Sequence, residues 1–468
     1  MNNEDLESGM GINNSENILY IHIQIESLIT NLNKDNYERT LNFLREMNQK
    51  FKSYIYELIQ YVAEIRPFNF NLLKNLWIAL DLPINNRKSA FMSYLQNKTQ
   101  SEVQSISKYK YRDMYPHSNI IPDLIFSENI DAIKEISSNN NNLYDEIIYV
   151  NNTFYTPLDY SAFCGRKNCF DFFRSIGAKT TSQTIKCAIR GGSADIILTV
   201  QPKKSEYQDL IYEAVAFHRN HIVEWFLNED KNLQVELSFC ISSFNTEAYI
   251  IFSKSYKGDI NKRNENGWTP LIVASRTGNE SIVKDLLNRG AIPELKDGHY
   301  KNALVYASKR NHIDIVKLLL DHSFEDNLKT INCWTPLIAA SYKGNDEIVK
   351  LLLEKGFPIN QCDEDGKTSL IWASLMGNLS TVKTLVECNA DINAKDLDGC
   401  QPLHYSAREG HSDVCKYLIS KGANINSLSN CGWDPLKYAL KYQRAVAIRE
   451  LIRCGSKQPR TFLIRRFL

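Results

Sequence analysis

The sequence predicts an all-α-dominated repeat solenoid, in which helix-turn-helix units with short β-hairpin fingers stack behind an N-terminal helical region. Three observations predict it. One short phrase returns every 33 residues, as Thr269-Pro270-Leu271, Asn302-Ala303-Leu304, Thr335-Pro336-Leu337, Thr368-Ser369-Leu370, Gln401-Pro402-Leu403-His404 and Asp434-Pro435-Leu436. Each copy is followed by apolar residues at helical spacing. The chain, at 468 residues, exceeds what a single compact core holds, which leaves several domains or one solenoid. A unit of this length cannot cover its own apolar face, so stability comes from neighbours and at least about three units are needed.

Taken in order, residues 1–16 are polar and expected to be mobile. A helical region follows over 17–96. Ile21, Ile25, Leu28 and Leu32 lie on one face, and Leu41, Leu44, Met47, Phe51, Tyr54, Ile55, Leu58, Val62 and Ile65 on another. Asn33-Lys34-Asp35 separates the two, and Arg66-Pro67 stops the second. Shorter helices are expected around Leu72 to Leu80 and Arg87 to Leu95. Two roles stand open for this region: a polar-backed cap on the end of the solenoid, or a small helical oligomerisation or docking module. Residues 97–118 are polar and read as a linker. From 119 to 257 a looser repeat runs through Ile121-Pro122-Asp123-Leu124, Thr156-Pro157-Leu158, Cys187-Ala188-Ile189 and Ala214-Val215-Ala216. The spacings, 25 to 28 residues, hold two helices but little finger, so helical hairpins with a shortened β-turn are expected. The Asn139 to Asn142 run reads as a loop insertion.

The regular units occupy 258–455. Asp398-Gly399 is a tight-turn signal, because glycine reaches positive φ without a Cβ clash. Thr269, Thr335 and Asp434 stand where an N-cap accepts a backbone N–H, and the proline after each suits the first helical position. Small residues (Ala274, Ala307, Ala340, Ala373, Ala407, Ala439) let first helices approach closely. Gly278, Gly344, Gly377 and Gly410 end them, with Asn311 as the substitute. Second helices carry apolar ridges such as Ile282, Val283, Leu286 and Leu287. Four departures suggest altered local turns: Cys333 for the turn glycine, Ala303 and Ser369 for the proline, and Gln443 for the helix-ending glycine.

A 33-residue period carrying a Thr-Pro-Leu-His-like phrase resembles the ankyrin repeat. The short units over about 120–257 resemble the leading segment of large ankyrin families of protists, a segment classified there as a domain of unknown function. The resemblance implies a non-catalytic protein-interaction scaffold that holds a partner polypeptide on a concave groove. It places contact positions at the two residues after the small pair of each first helix: Arg276 and Thr277, Lys309 and Arg310, Tyr342 and Lys343, Leu375 and Met376, Arg408 and Glu409, Lys441 and Tyr442. It adds finger positions at Trp268, Trp334 and Trp433. That row is basic with aromatic and thioether interruptions, so the expected partner is a protein segment with acidic and apolar residues, Leu375 and Met376 forming an apolar floor. The alternative is an adaptor that recruits a client to a larger enzyme complex such as a ubiquitin ligase. The tail over 456–468 would then dock the enzyme; otherwise it caps the last repeat. The resemblance also makes His221, His312 and His411 structural, and has His404 hydrogen-bond the backbone of a neighbouring repeat.

Composition narrows the remaining classes. With 55 basic and 54 acidic residues, the net balance gives no pull toward nucleic acid or an anionic membrane. No run of about 18 apolar residues occurs and Met1-Asn2-Asn3-Glu4-Asp5 lacks signal-peptide character, so an intracellular, soluble chain is expected, in cytoplasm or nucleus. The 11 cysteines include no Cys-x-x-Cys and read as free thiols. His218-Arg219-Asn220-His221 with Cys240, and Cys164 with Cys169, lack zinc-ligand spacing. Gly191-Gly192 lacks the lysine of a phosphate loop. No nucleophile and base pair stands out, so neither an enzyme nor a cofactor is expected.

Overall fold

A computed structural model describes residues 15–33, 36–65, 70–80, 82, 120–139, 143–150, 153–322 and 334–456. Several expectations fall outside these residues: mobility over 1–14, the stop at Arg66-Pro67, the helix from Arg87 to Leu95, the 97–118 linker, the turn at Cys333 and the tail beyond Ser456. The chain divides into two compact units, Met1–Lys257 and Gly258–Leu468.

In the first unit, α1 (Ser15–Thr30), α2 (Tyr37–Ile65) and α3 (Phe70–Ala79) form the N-terminal region. Ile25 and Ile29 of α1, Leu44, Ile55, Leu58 and Val62 of α2, and Leu73, Leu76 and Trp77 of α3 close one apolar core. The spacing of these residues puts them on facing stripes, which is why three helices suffice. Helix α2 bends where Phe51 leaves helical dihedrals (φ −108°, ψ 16°).

Five helix pairs follow: α4 (Ile121–Phe126) with α5 (Ile130–Asn139), α6 (Pro157–Phe163) with α7 (Lys167–Ser175), and α8 (Ser182–Gly191) with α9 (Ala194–Val200). Helices α10 (Tyr207–Ala216) and α11 (Asn220–Glu229), then α12 (Leu237–Ser242) and α13 (Thr246–Ser255), complete the set. Ahead of α6 a small antiparallel hairpin pairs β1 (Ile148–Val150) with β2 (Thr153–Tyr155), a finger where a shortened turn was expected.

The N-terminal helices pack against later pairs of the same unit. They seat on the turns of the fourth and fifth pairs. Phe244, between α12 and α13, joins their core, with its ring 5.6 Å from both Tyr54 and Tyr61. The Tyr61 hydroxyl donates to the Ala216 carbonyl at 2.8 Å. The buried Glu26 carboxylate accepts from the Thr246 amide at 2.8 Å and from the Tyr54 hydroxyl. Burial drives the Glu26 pKa up to about 8, although the hydrogen bonds from Thr246 and Tyr54 oppose it.

The second unit holds six pairs in register: α14 (Pro270–Thr277) with α15 (Glu280–Asn288), α16 (Ala303–Arg310) with α17 (Ile313–His322), and α18 (Pro336–Lys343) with α19 (Asp346–Glu354). The others are α20 (Ser369–Met376) with α21 (Leu379–Glu387), α22 (Pro402–Glu409) with α23 (Ser412–Ser420), and α24 (Pro435–Lys441) with α25 (Ala445–Arg453). First helices pack on first helices along the row, and second on second. Five of the six N-caps use a side-chain oxygen: Thr269, Asn302, Thr335, Thr368 and Asp434 each accept the amide three residues on. The fifth repeat uses an imidazole instead. His404 Nδ1 accepts the Gln401 amide at 3.0 Å, so Nε2 carries the proton and donates to the Ser427 and Trp433 carbonyls at 3.0 and 3.2 Å.

The expected altered turns are not found at Ala303, Ser369 or Gln443. Asn302 and Thr368 cap their helices without the proline, and Gln443 takes the left-handed conformation itself, at φ 56°.

Candidate functional site

A ladder of side chains ties each repeat to the one before and fixes the face that carries the candidate residues. From the second repeat to the sixth, the residue after the helix-ending slot reaches back to a carbonyl at the end of the preceding first helix. His312 Nε2 donates to Arg276 O at 3.3 Å, Asn345 Nδ2 to Ser308 O at 2.7 Å, and Asn378 Nδ2 to Ser341 O at 2.9 Å. His411 Nε2 donates to Leu375 O at 3.0 Å and Arg444 Nε to Arg408 O at 2.9 Å. These bonds satisfy carbonyls that a helix end leaves open. Burial lowers the His312 pKa to about 4, so its ring is neutral near pH 7. The glycine matters for space as well as for φ, since a Cβ on Gly377 would meet the His411 ring. In the first unit the same slot is filled by Arg219, which donates to Arg190 O, and by Asn245, which donates to Val215 O. His218 donates to Ser243 O at 2.8 Å and Cys240 is fully buried.

The fingers are organised by a second column. Asp297 Oδ1 accepts the His299 and Lys301 amides at 2.8 and 2.9 Å; Asp363 Oδ1 accepts those of Asp365 and Lys367 at 3.1 and 2.9 Å; Asp396 Oδ1 accepts those of Asp398 and Cys400 at 3.0 and 2.8 Å. The other carboxylate oxygen receives an aromatic donor from the first helix of the same repeat: Tyr306 OH at 2.6 Å on Asp297, Trp372 Nε1 at 2.7 Å on Asp363, and Tyr405 OH on Asp396. For Asp297, burial works against ionisation. The hydrogen bonds from Tyr306, the two amides and Trp268 outweigh it, and the carboxyl is held below its usual range.

These anchors set an aromatic row on the face shared by the fingers and the carboxyl ends of the first helices, and the basic row lies on top of it. Trp334, Tyr342 and Trp372 form a three-ring cluster with centroids 5.3 to 5.5 Å apart. Lys301 and Lys309 sit 5.0 and 5.2 Å from the Trp334 ring, Lys343 sits 5.2 Å from Tyr342, and Lys367 sits 5.6 Å from Trp372. Trp268 packs on Tyr306 of the next repeat at 5.8 Å under the Arg276 guanidinium at 4.6 Å. Trp433 packs on Tyr438 at 5.3 Å, with Lys437 and Lys441 at 4.8 and 4.6 Å. Cations over aromatic faces attract the ring quadrupole, by about 0.5–1 kcal/mol at exposed sites.

Most of the sequence-selected residues therefore gather on one face, in two roles. Trp268, Trp334 and Trp433 are half-buried and hold neighbouring side chains. Leu375 packs against the Ile371, Cys400 and Tyr405 cluster, so it belongs to repeat packing, whereas Met376 and Tyr442 are exposed. Arg408 stacks on Tyr405 at 4.8 Å and pairs with Glu409 at 2.9 Å, which also meets Arg444 at 3.5 Å. Arg310 is half-buried and Lys343 exposed. Sequence reasoning missed Tyr306, Trp372, Tyr405 and Tyr438, together with Lys301, Lys367 and Lys437. The signal was available, because those aromatics occupy one 33-residue column, one helical turn before the chosen positions.

Among the described residues, no group of three or more His, Cys, Asp or Glu side chains is placed to hold a metal, and no helix is long and apolar enough to cross a membrane. No curated protein sequence matches the chain. Two solved structures with which it aligns are the ankyrin repeat domain of human ASB11 and that of Bcl-3. The first is 21% identical over 48% of this chain and 100% of that one, with a TM-score of 0.44. The second is 27% identical over 47% and 98%, with a TM-score of 0.39. The family model described as ankyrin repeats (3 copies) matches residues 211–330, 323–396 and 394–461, more than half of the chain. Ankyrin repeats are in general protein–protein interaction modules. Six capped helix pairs in one register, tied by a side-chain ladder and matched by that model, establish that this chain belongs to the ankyrin-repeat family.

Proposed function

We propose that the second unit is a binding scaffold whose finger and first-helix face holds a polypeptide segment rich in acidic and apolar residues. One observation carries this reading. Lys301, Lys309, Lys343 and Lys367 surround the Trp334, Tyr342 and Trp372 cluster, so a single patch offers apolar ring surface bordered by positive charge. A carboxylate at the rim gains from the ammonium groups, while an apolar side chain covers ring edges. Aromatic and basic residues of this kind concentrate interface energy, and charge sets the rate of encounter.

The test is selection of a random peptide display library on the full chain, followed by anisotropy measurements on the enriched peptides. Enriched sequences should combine Asp or Glu with an aromatic or aliphatic residue. Arg310→Glu with Lys343→Glu should weaken them by about tenfold or more, the scale of a lost central contact of about 1.4 kcal/mol. Binding unchanged by that double reversal, or enrichment of basic peptides, removes the reading. Preferential capture of single-stranded DNA with a steep salt dependence would point to nucleic acid instead.

A further inference from the structure

The fingers of the fifth and sixth repeats bring two cysteines to one hydroxyl. The Asn430 amide and side-chain Nδ2 bond to Asp398 O and Leu397 O, each at 2.9 Å, and lock the sixth finger onto the fifth. Next in the chain, Cys431 is exposed; Cys400, on the neighbouring finger, is buried. The Tyr438 hydroxyl lies 3.4 Å from each sulfur, so the two sulfurs are no farther apart than twice that distance. Ser429 Oγ is 3.1 Å from the Cys431 sulfur. Hydrogen bonds from Ser429 and Tyr438 favour the Cys431 thiolate and hold its pKa below the usual thiol range, whereas burial pushes the Cys400 thiol up. Cys431 and the left-handed Gly432 both face solvent.

From this arrangement we infer that Cys431 and Cys400 form a hydroperoxide-sensitive dithiol, with Cys431 as the thiol attacked and Cys400 as the thiol that resolves it. In the first step the Cys431 thiolate attacks one peroxide oxygen. The O–O bond breaks, the sulfur becomes a sulfenic acid, and the leaving oxygen takes a proton to depart as water or an alcohol. In the second step the Cys400 sulfur attacks the Cys431 sulfur. Its own proton and the sulfenic hydroxyl leave as water, and a disulfide joins the two fingers. Tyr438, in contact with both sulfurs, is placed to pass the proton between them. This inference is independent of what the scaffold binds.

Its test uses the full chain, hydrogen peroxide and the exposed Cys388 as an internal comparator. After oxidation, alkylation and digestion without reductant, a peptide pair linked through Cys400 and Cys431 is expected, lighter by two hydrogens and restored by dithiothreitol. Cys431→Ser should abolish the linked pair and leave Cys400 reduced. Cys400→Ser should stop at a sulfenic acid on Cys431, trapped by dimedone several-fold faster than any adduct at Cys388. If that buried substitution fails to fold, the wild-type chain and Cys431→Ser carry the test. Absence of the linked peptide, or oxidation of Cys400 that persists in Cys431→Ser, overturns the assignment.

Discussion

Raising the pH across neutrality should loosen the first unit at one place, the seat of α1 on α13, and Glu26 supplies the magnitude. Its carboxyl has a pKa of about 8 in the folded chain against an ordinary 4.5, because burial penalises the charged form. The folded state thus keeps a proton that the unfolded state releases between those values. The sign follows: stability is fully present below the unfolded pKa, falls as pH rises, and is lost through about pH 8. The slope approaches 1.4 kcal/mol per pH unit within that window, tenfold in an opening equilibrium. Hydrogen exchange of the peptides covering Thr246–Ser255, corrected for intrinsic rate, reads it directly, because the Thr246 amide donates to an oxygen of this carboxyl at 2.8 Å. Glu26→Gln is the control. Its carbonyl can still accept the Thr246 amide, and its amide group meets the Tyr54 and Thr246 hydroxyls, both able to accept. Protection in the wild type should fall about tenfold per unit between pH 6 and 8 while the variant stays level. Parallel behaviour of the two would refute the reasoning.

Other substitutions test the second unit. Asp297→Ala leaves two finger amides, the Trp268 indole and the Tyr306 hydroxyl without their acceptor, and should cost about 3 kcal/mol in urea unfolding followed by tryptophan fluorescence. Because this carboxyl is held below its usual range, wild-type stability should fall as the pH drops through its folded pKa. Gly377→Ala forces a Cβ at φ 74° into the His411 ring and should lower the melting midpoint by several degrees, from about 2 kcal/mol. Tyr300→Gly should act in the opposite sense. Tyr300 holds φ 58° and is 64% exposed, so relief of about 1–2 kcal/mol of backbone strain exceeds the lost packing, and a modest rise in midpoint is expected.

The register of the second unit was legible because each first helix is started by its own local signal, a cap at Thr269, Thr335 or Asp434 followed by proline. That legibility stopped where one residue type substitutes physically for another. Asn302 and Thr368 cap without the proline, and Gln443 bends as glycine does, since the side-chain ladder through Arg444 already fixes the chain there. The docking of the N-terminal helices was not legible at all. Glu26 and Thr246 meet across 220 residues, and a carboxylate beside Ile25 looks from its sequence like a solvent-facing position. The candidate face was half legible: resemblance selected the cations and the finger tryptophans, but their support from Tyr306, Trp372 and Tyr405 is a tertiary arrangement. The 33-residue column of Tyr306, Trp372 and Tyr405, each nine residues after a finger aspartate, hinted at it.

That support constrains how the face can be dissected. Trp334 joins repeats through Trp372, and Trp268 through Tyr306 and Asp297, so replacing either tryptophan removes repeat-to-repeat packing along with any partner contact. Loss of binding after such a change says little about recognition. The cations are the separable element. A lysine over a ring adds about 0.5–1 kcal/mol at an exposed site, small beside the interfaces of six stacked pairs, whereas several ammonium groups around one ring cluster act together on an incoming carboxylate. Lys301→Gln with Lys343→Gln should therefore leave the unfolding midpoint nearly unchanged while slowing association with an acidic peptide. A large stability loss with unaltered association would instead assign the lysines to the fold.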